Sequence, residues 1–277
     1  MLRICMLPAV VGVLFLAAGC SSGPTPPQPG TPEFPWSAAK TTYAAGDFVK
    51  ADDNLAQLAK GTSDFAVRSR PLAIIVTSGI AKGYADLADN FEAGAQANRA
   101  NPTPFRRQVN LFRSQASSTA MQTAELVHEF LTSNPPDPIP LEITYPSGSA
   151  TPPVSLQRVA KGMLLPDAEI DSLQKEMLQR GVLIMMTRAA GAGEDSAKAL
   201  EILKAPKVTV AKPAFGLEIA KAMLDLTDLY TPKKLDEPNR MNILTEQIDQ
   251  ALQMAPAGKE TKDAAAKLAK LRKTKKT

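Results

Sequence analysis

Cysteine is nearly absent. The chain of 277 residues has two, Cys5 and Cys20, and none after position 20. Beyond that point it has no thiol for a disulfide, a thiolate metal site or a cysteine nucleophile. Histidine is scarcer still, with His128 alone. A site that needs two imidazoles therefore cannot be built from one copy of this chain. Aromatic residues make up only 5% and tryptophan is represented by Trp36 alone, while 44% of the residues are hydrophobic. The apolar content is enough for a core. With so few aromatics and many alanine-rich stretches, that core is expected to form between packed helices rather than sheets.

A strong overall charge is also missing. The net charge of +4 is unevenly spread. Arg3 supplies one unit, and residues 259–277 carry eight basic side chains against Glu260 and Asp263. The stretch 20–258 is therefore mildly acidic, at −3. Only the C-terminal end is basic, which argues against nucleic acid as a partner of the whole protein. Three non-exclusive readings of this end are open. In order of preference they are a solvated helix terminus, contact with anionic lipid, and contact with an acidic partner or wall polymer.

At the other end, Arg3 precedes an apolar run from Ile4 to Leu16, and Ala17, Ala18 and Gly19 lead to Cys20. A short apolar run between a positive charge and small residues has the layout of a secretory signal, too short for a comfortable membrane span. The run Leu16-Ala-Ala-Gly-Cys20 resembles the lipobox of bacterial lipoproteins. The resemblance implies that residues 1–19 are a signal peptide, removed after a diacylglyceryl group is joined to Cys20, whose new amino terminus is then acylated. It implies a bacterial envelope protein held to the membrane through lipid on Cys20. With Ser21 following, it implies the outer membrane facing the periplasm where the host has two membranes. Removing 19 residues from 277 leaves 258, enough for one large or two small domains.

Residues 20–36 are rich in Pro, Ser and Gly and read as a semi-extended tether. Trp36 at its end is read as a core residue. Next, Tyr43-Ala-Ala-Gly46-Asp47-Phe48 with Lys50, Ala51, Leu55 and Leu58 describes a helix, a tight turn and a second helix. Asp47 can cap that second helix. This stretch resembles the middle of a tetratricopeptide repeat, with weaker echoes at Ala189–Leu203 and Ile248–Pro256. Their spacing is far from the regular 34-residue period, so the resemblance implies degenerate, tetratricopeptide-like helical hairpins.

Pro71 is expected to open a long helix reaching about Asn98, with Gly79 and Gly83 letting a neighbour come close. Phe105, Val109, Phe112, Ala116, Thr119, Thr123, Leu126 and Phe130 step by three and four, which predicts a helix over 105–132 packed antiparallel on its predecessor. Seven prolines between 134 and 153 mark a loop or boundary, with a short strand at Leu141–Tyr145. Helices are expected again over 155–161, 166–190, 195–204, 214–230, 238 onward and 258–273, with an extended piece at 207–212. The expectation is an all-α protein of antiparallel helical hairpins, a degenerate repeat or a helical bundle. It comprises an N-terminal lobe at 37–133, a Pro-rich loop at 134–154, a C-terminal lobe at 155–273 and a basic end at 274–277.

Catalytic patterns are sparse. Glu125-Leu-Val-His128 matches half of a bundle di-iron site, whose other half needs a second histidine. His128-Glu129 lacks the second histidine of the zinc-protease helix, and no Gly-x-Ser-x-Gly turn presents a serine. Gly191-Ala-Gly193 lacks the third glycine of a dinucleotide loop. The carboxylate pairs Asp52/Asp53 and Asp225/Asp228 are read as solvent-facing. No catalytic, cofactor or metal residues are assigned, and lipidation at Cys20 is the one site. The expected function is a lipid-anchored binding or scaffolding module for a protein partner in the envelope, ahead of a wall-modifying hydrolase or a solute-binding lipoprotein.

Overall fold

The computed structural model describes residues 27–142, 149–205 and 208–274, the side chain of Thr274 excepted. The signal, Cys20, Tyr145 and residues 275–277 lie outside the described residues. The protein is all-α, with ten α-helices among the described residues and one two-stranded sheet.

The first hairpin joins α1 (Glu33–Ala44) to α2 (Phe48–Ala59). The turn works because Gly46 takes φ +77°, open to glycine without steric cost. The Asp47 side chain then accepts the Lys50 backbone N–H at 3.3 Å, satisfying a donor that the helix leaves unpaired. Tyr43 meets Phe48 edge-on across the hairpin, with ring centroids 5.2 Å apart. Helix α1 begins inside the stretch read as tether, and Trp36 is buried within it. Its ring lies 6.1 Å from that of Phe65, and the Arg68 guanidinium sits 4.9 Å above it.

Helix α3 runs from Asp64 to Ala97, so Pro71 is inside it rather than at its start. A proline there removes one backbone rung. The turns before it are held by other means. Phe65 packs on Trp36, and Arg70 reaches back to the carbonyls of Ala59 and Gly61 at 3.0 and 2.8 Å. These contacts come from elsewhere in the fold, and periodicity around Pro71 does not reveal them.

Helix α4 (Thr103–Thr132) returns antiparallel along α3. Phe91 touches both Phe105 and Phe112, and Tyr84 stacks near Phe112 at 6.2 Å. After α4, β1 (Ile139–Leu141) pairs antiparallel with β2 (Val208–Val210), matching Ile139 to Val210. The strand thus starts two residues earlier than the alternation at 141–145 indicates. Asp137 accepts the Lys212 backbone N–H at 3.1 Å, which ties the Pro-rich segment to the start of the later helices.

Helices α5 (Val154–Ala160), α6 (Asp167–Ala189), α7 (Ser196–Leu203), α8 (Lys212–Leu226), α9 (Pro238–Met254) and α10 (Lys259–Thr274) complete the chain, with a 3-10 turn at Thr227–Tyr230. Helix α3 is the centre. It contacts α4 on one side and α6 on another. The approach to α6 is backbone to backbone. A Cβ on Gly79 would lie 2.5 Å from Val182 Cα, and one on Gly181 would lie 2.0 Å from the Gly79 carbonyl oxygen. One continuous cluster of buried residues runs from Trp36 to Leu268 and draws on both halves of the chain.

Candidate functional site

An open trough of about 680 Å³ lies among the later helices. Three pieces of backbone shape it. The first is the link from α6 to α7, where Gly191 and Gly193 take φ +74° and +64° and Asp195 caps α7 by accepting the Lys198 N–H at 3.0 Å. The second is α8, which presents Glu218, Lys221 and Asp225 at spacings of three and four, one face of a helix. The third is α10, which adds Glu260, Asp263 and Lys267 on the same principle.

Charges in the trough are largely paired with one another. Arg188 meets Asp225 at 2.9 Å, and Lys221 bridges Glu218 at 2.8 Å and Glu260 at 2.5 Å. Partial burial works against the Lys221 charge. Hydrogen bonds to Glu218 and Glu260, and their negative charge, outweigh it and hold the ammonium above its ordinary range. The same hydrogen bond holds the Glu260 carboxyl below its ordinary range. Across Arg188, Gly193 and Glu194 the trough continues into a second hollow of about 320 Å³, bordered by Lys82 and Arg180. Both of those cations pair with Asp86, at 3.1 and 3.0 Å. The result is a long surface of alternating sign, with an exposed glycine turn in its wall. Such a surface can satisfy the mixed charges and backbone groups of a polypeptide better than a single strongly charged small molecule.

A different polar site lies inside the bundle. Asp52, read from sequence as solvent-facing, is buried at 5% exposure. Its carboxylate accepts the Thr77 hydroxyl from α3 and the Gln122 side-chain amide from α4, the latter at 3.1 Å. Burial, with a smaller push from Asp53, raises its pKa to about 6 against the opposing effect of those two hydrogen bonds. The clue was present in the spacing: position 52 is four after Phe48 and three before Leu55, beside the apolar stripe of α2. Asp53 is exposed, as are Asp225 and Asp228. A third cluster joins α4 to the 3-10 turn. Ser117 donates to the Tyr230 hydroxyl at 3.1 Å, Tyr230 donates to the Ser117 carbonyl at 3.2 Å, and Arg240 reaches the Ser117 hydroxyl.

His128 and Glu125 are exposed on α4. Among the described residues, no three His, Cys, Asp or Glu side chains gather in a way that could hold a metal ion. Among the same residues, no helix is long and apolar enough to cross a membrane.

By fold and site, the protein is an all-α helical bundle carrying an open, charge-alternating trough. Comparison with protein-family models, with curated proteins and with solved structures finds no match.

Proposed function

We propose that this protein is a lipid-anchored component of the bacterial envelope that holds a helical bundle close to the membrane as a binding or scaffolding module for a protein partner. Anchoring is supported by the sequence run ending at Cys20, with its preceding signal layout and the Pro-rich stretch after it. Partner binding is supported by the trough between the α6–α7 link, α8 and α10, which carries the reading. An open concavity walled by helix faces fits an extended or helical segment of another chain. The helix–turn–helix pairs at α1–α2, α6–α7 and α9–α10, where the tetratricopeptide-like echoes fall, are in keeping with a degenerate repeat that presents such a surface.

The test has two arms. Cys20→Ser should abolish lipid labelling, and unchanged labelling would remove the anchor. A photo-crosslinking residue in place of Lys198, on the trough wall, should capture a discrete protein from intact envelopes. The same residue in place of Lys60, just past the end of α2 and outside the trough lining, should not capture it. Identical capture at both positions, or none at Lys198, would reject the trough as the binding surface.

A further inference from the structure

Helix α10 is held to the body by a narrow seam. Ala264 and Leu268 are its buried residues, with Leu271 partly buried beside them. At about 100° per residue, Lys259, Lys262, Ala266, Lys270 and Lys273 fall within a sector about 80° wide on the opposite side of the helix. All five are exposed. The four lysines form a ridge about 21 Å long at 1.5 Å per residue. The acids of α10 lie off this line. Glu260 is turned to Lys221, and Asp263 borders the trough at the ridge's edge. Lys275 and Lys276 follow in sequence.

Helix stability does not account for this arrangement. Cations are favoured near a helix C-terminus and disfavoured near its N-terminus, yet Lys259 and Lys262 occupy the first turn. The pair 259/262 also sets like charges three residues apart, where they repel. A helix with so little apolar burial gains nothing from that repulsion. A polyanionic countersurface would turn it into attraction. The chain between the signal and α10 is net acidic, so the basic charge is segregated at the C-terminal end.

The geometry points to a second membrane contact: the lysine ridge of α10 docks on the phosphate headgroups of anionic phospholipid. It draws on the anchored reading only for proximity. Thirteen residues, 20–32, precede α1, and a chain of that length reaches at most about 45 Å even fully drawn out, which keeps the body near the bilayer. Each lysine near an anionic surface contributes about 1 kcal/mol, so the ridge acts as a screened, salt-sensitive clamp beside the lipid.

The experiment uses the full chain with Cys20→Ser, so that no acyl group contributes. Partition is measured onto vesicles of phosphatidylcholine alone and of phosphatidylcholine mixed with phosphatidylglycerol. The first set reports whatever the apolar N-terminal stretch contributes. The excess on the second should fall roughly fivefold for each of Lys259, Lys262, Lys270 and Lys273 replaced by Gln. A control chain with Lys60, Lys161, Lys204 and Lys233 replaced by Gln loses the same charge from exposed sites elsewhere and should keep most of that excess. Equal partition onto the two vesicle types overturns the proposal, as does an equal loss in the two variants. Because the anchor is absent from every arm, neither outcome bears on the lipidation of Cys20.

Discussion

Gln122 on α4 donates its side-chain amide to the carboxylate of Asp52 on α2 at 3.1 Å, across a distance of 70 residues in sequence. With the Thr77 hydroxyl from α3, this fastens the α1–α2 hairpin onto the central helix pair through a buried acid. A buried, hydrogen-bonded carboxylate specifies position, but keeping it charged costs free energy.

That cost has a defined pH dependence. The folded-state pKa of Asp52 is raised to about 6, from an ordinary value of 3.8. A raised value means the folded protein binds the proton more tightly, so the group's contribution to stability is fully present below pH 3.8 and is lost as pH rises through 6. At pH 7.5 the ionised form costs about 3 kcal/mol relative to the protonated form, at 1.36 kcal/mol per unit. Asp52→Asn should therefore raise stability by about 1–3 kcal/mol at pH 7.5, with a smaller gain at pH 4.5. Urea titrations of both proteins at the two pH values measure the difference. A variant that is destabilised equally at both would overturn the ionisation cost as the origin of the effect.

Close helix contact makes a second test. Gly181→Ala places a methyl 2.0 Å from the Gly79 carbonyl oxygen, so α3 and α6 must separate. The expected loss is about 1–3 kcal/mol or more, as for other overpacked interiors. Gly258→Ala meets nothing within 4 Å and should change stability by less than about 0.5 kcal/mol. Thermal melts that rank the two substitutions the other way would contradict the α3–α6 contact.

Arg70 offers a third. Its guanidinium donates to the carbonyl of Ala59, which α2 leaves without a helical donor at its end, and to that of Gly61 just beyond. Arg70→Met keeps the aliphatic stem and removes both hydrogen bonds. A loss of about 1.5–3 kcal/mol is expected, with amide exchange accelerating first in α2. Exchange that accelerates only in α8 and α9 would point away from this capping role.

Tyr230 tests the link between α4 and the 3-10 turn. Its hydroxyl exchanges hydrogen bonds with Ser117 in the interior. Tyr230→Phe should lose about 1–3 kcal/mol, since a buried polar group at Ser117 is left short of a partner. Tyr230→Ala should lose about 3–5 kcal/mol through the cavity it leaves. Denaturant midpoints for the two variants should fall in that order, and an unchanged midpoint for Tyr230→Phe would dismiss the bond as a stabilising contact.

Much of the helical order is legible in the sequence. The stripe from Phe105 to Phe130, the Gly46–Asp47 turn and the start of α9 at Pro238 all sit where residue spacing places them. Each is a local signal: a 3.6-residue period, a glycine at positive φ, a proline at the first helical position. The all-α character follows from the same signals repeated along the chain. Among the readings that changed, Pro71 lies inside α3, α1 begins at Glu33 within the stretch read as tether, and Asp52 is interior. Each depends on contacts with residues far away in sequence, which periodicity does not encode.

The trough was out of reach for the same reason. Arg188, Lys221 and Glu260 are ordinary exposed-looking charges along the chain, and only the packing of α6, α8 and α10 brings them together. The sequence by itself determined the helices, their turns and the segregation of basic charge at the C-terminal end, because these depend on neighbours within a few residues. Tertiary structure decided which glycines let α3 and α6 touch, which acid is buried, and which faces of α8 and α10 line one surface. Those are properties of pairs distant along the chain, and they arise only when the apolar stripes have been packed against each other.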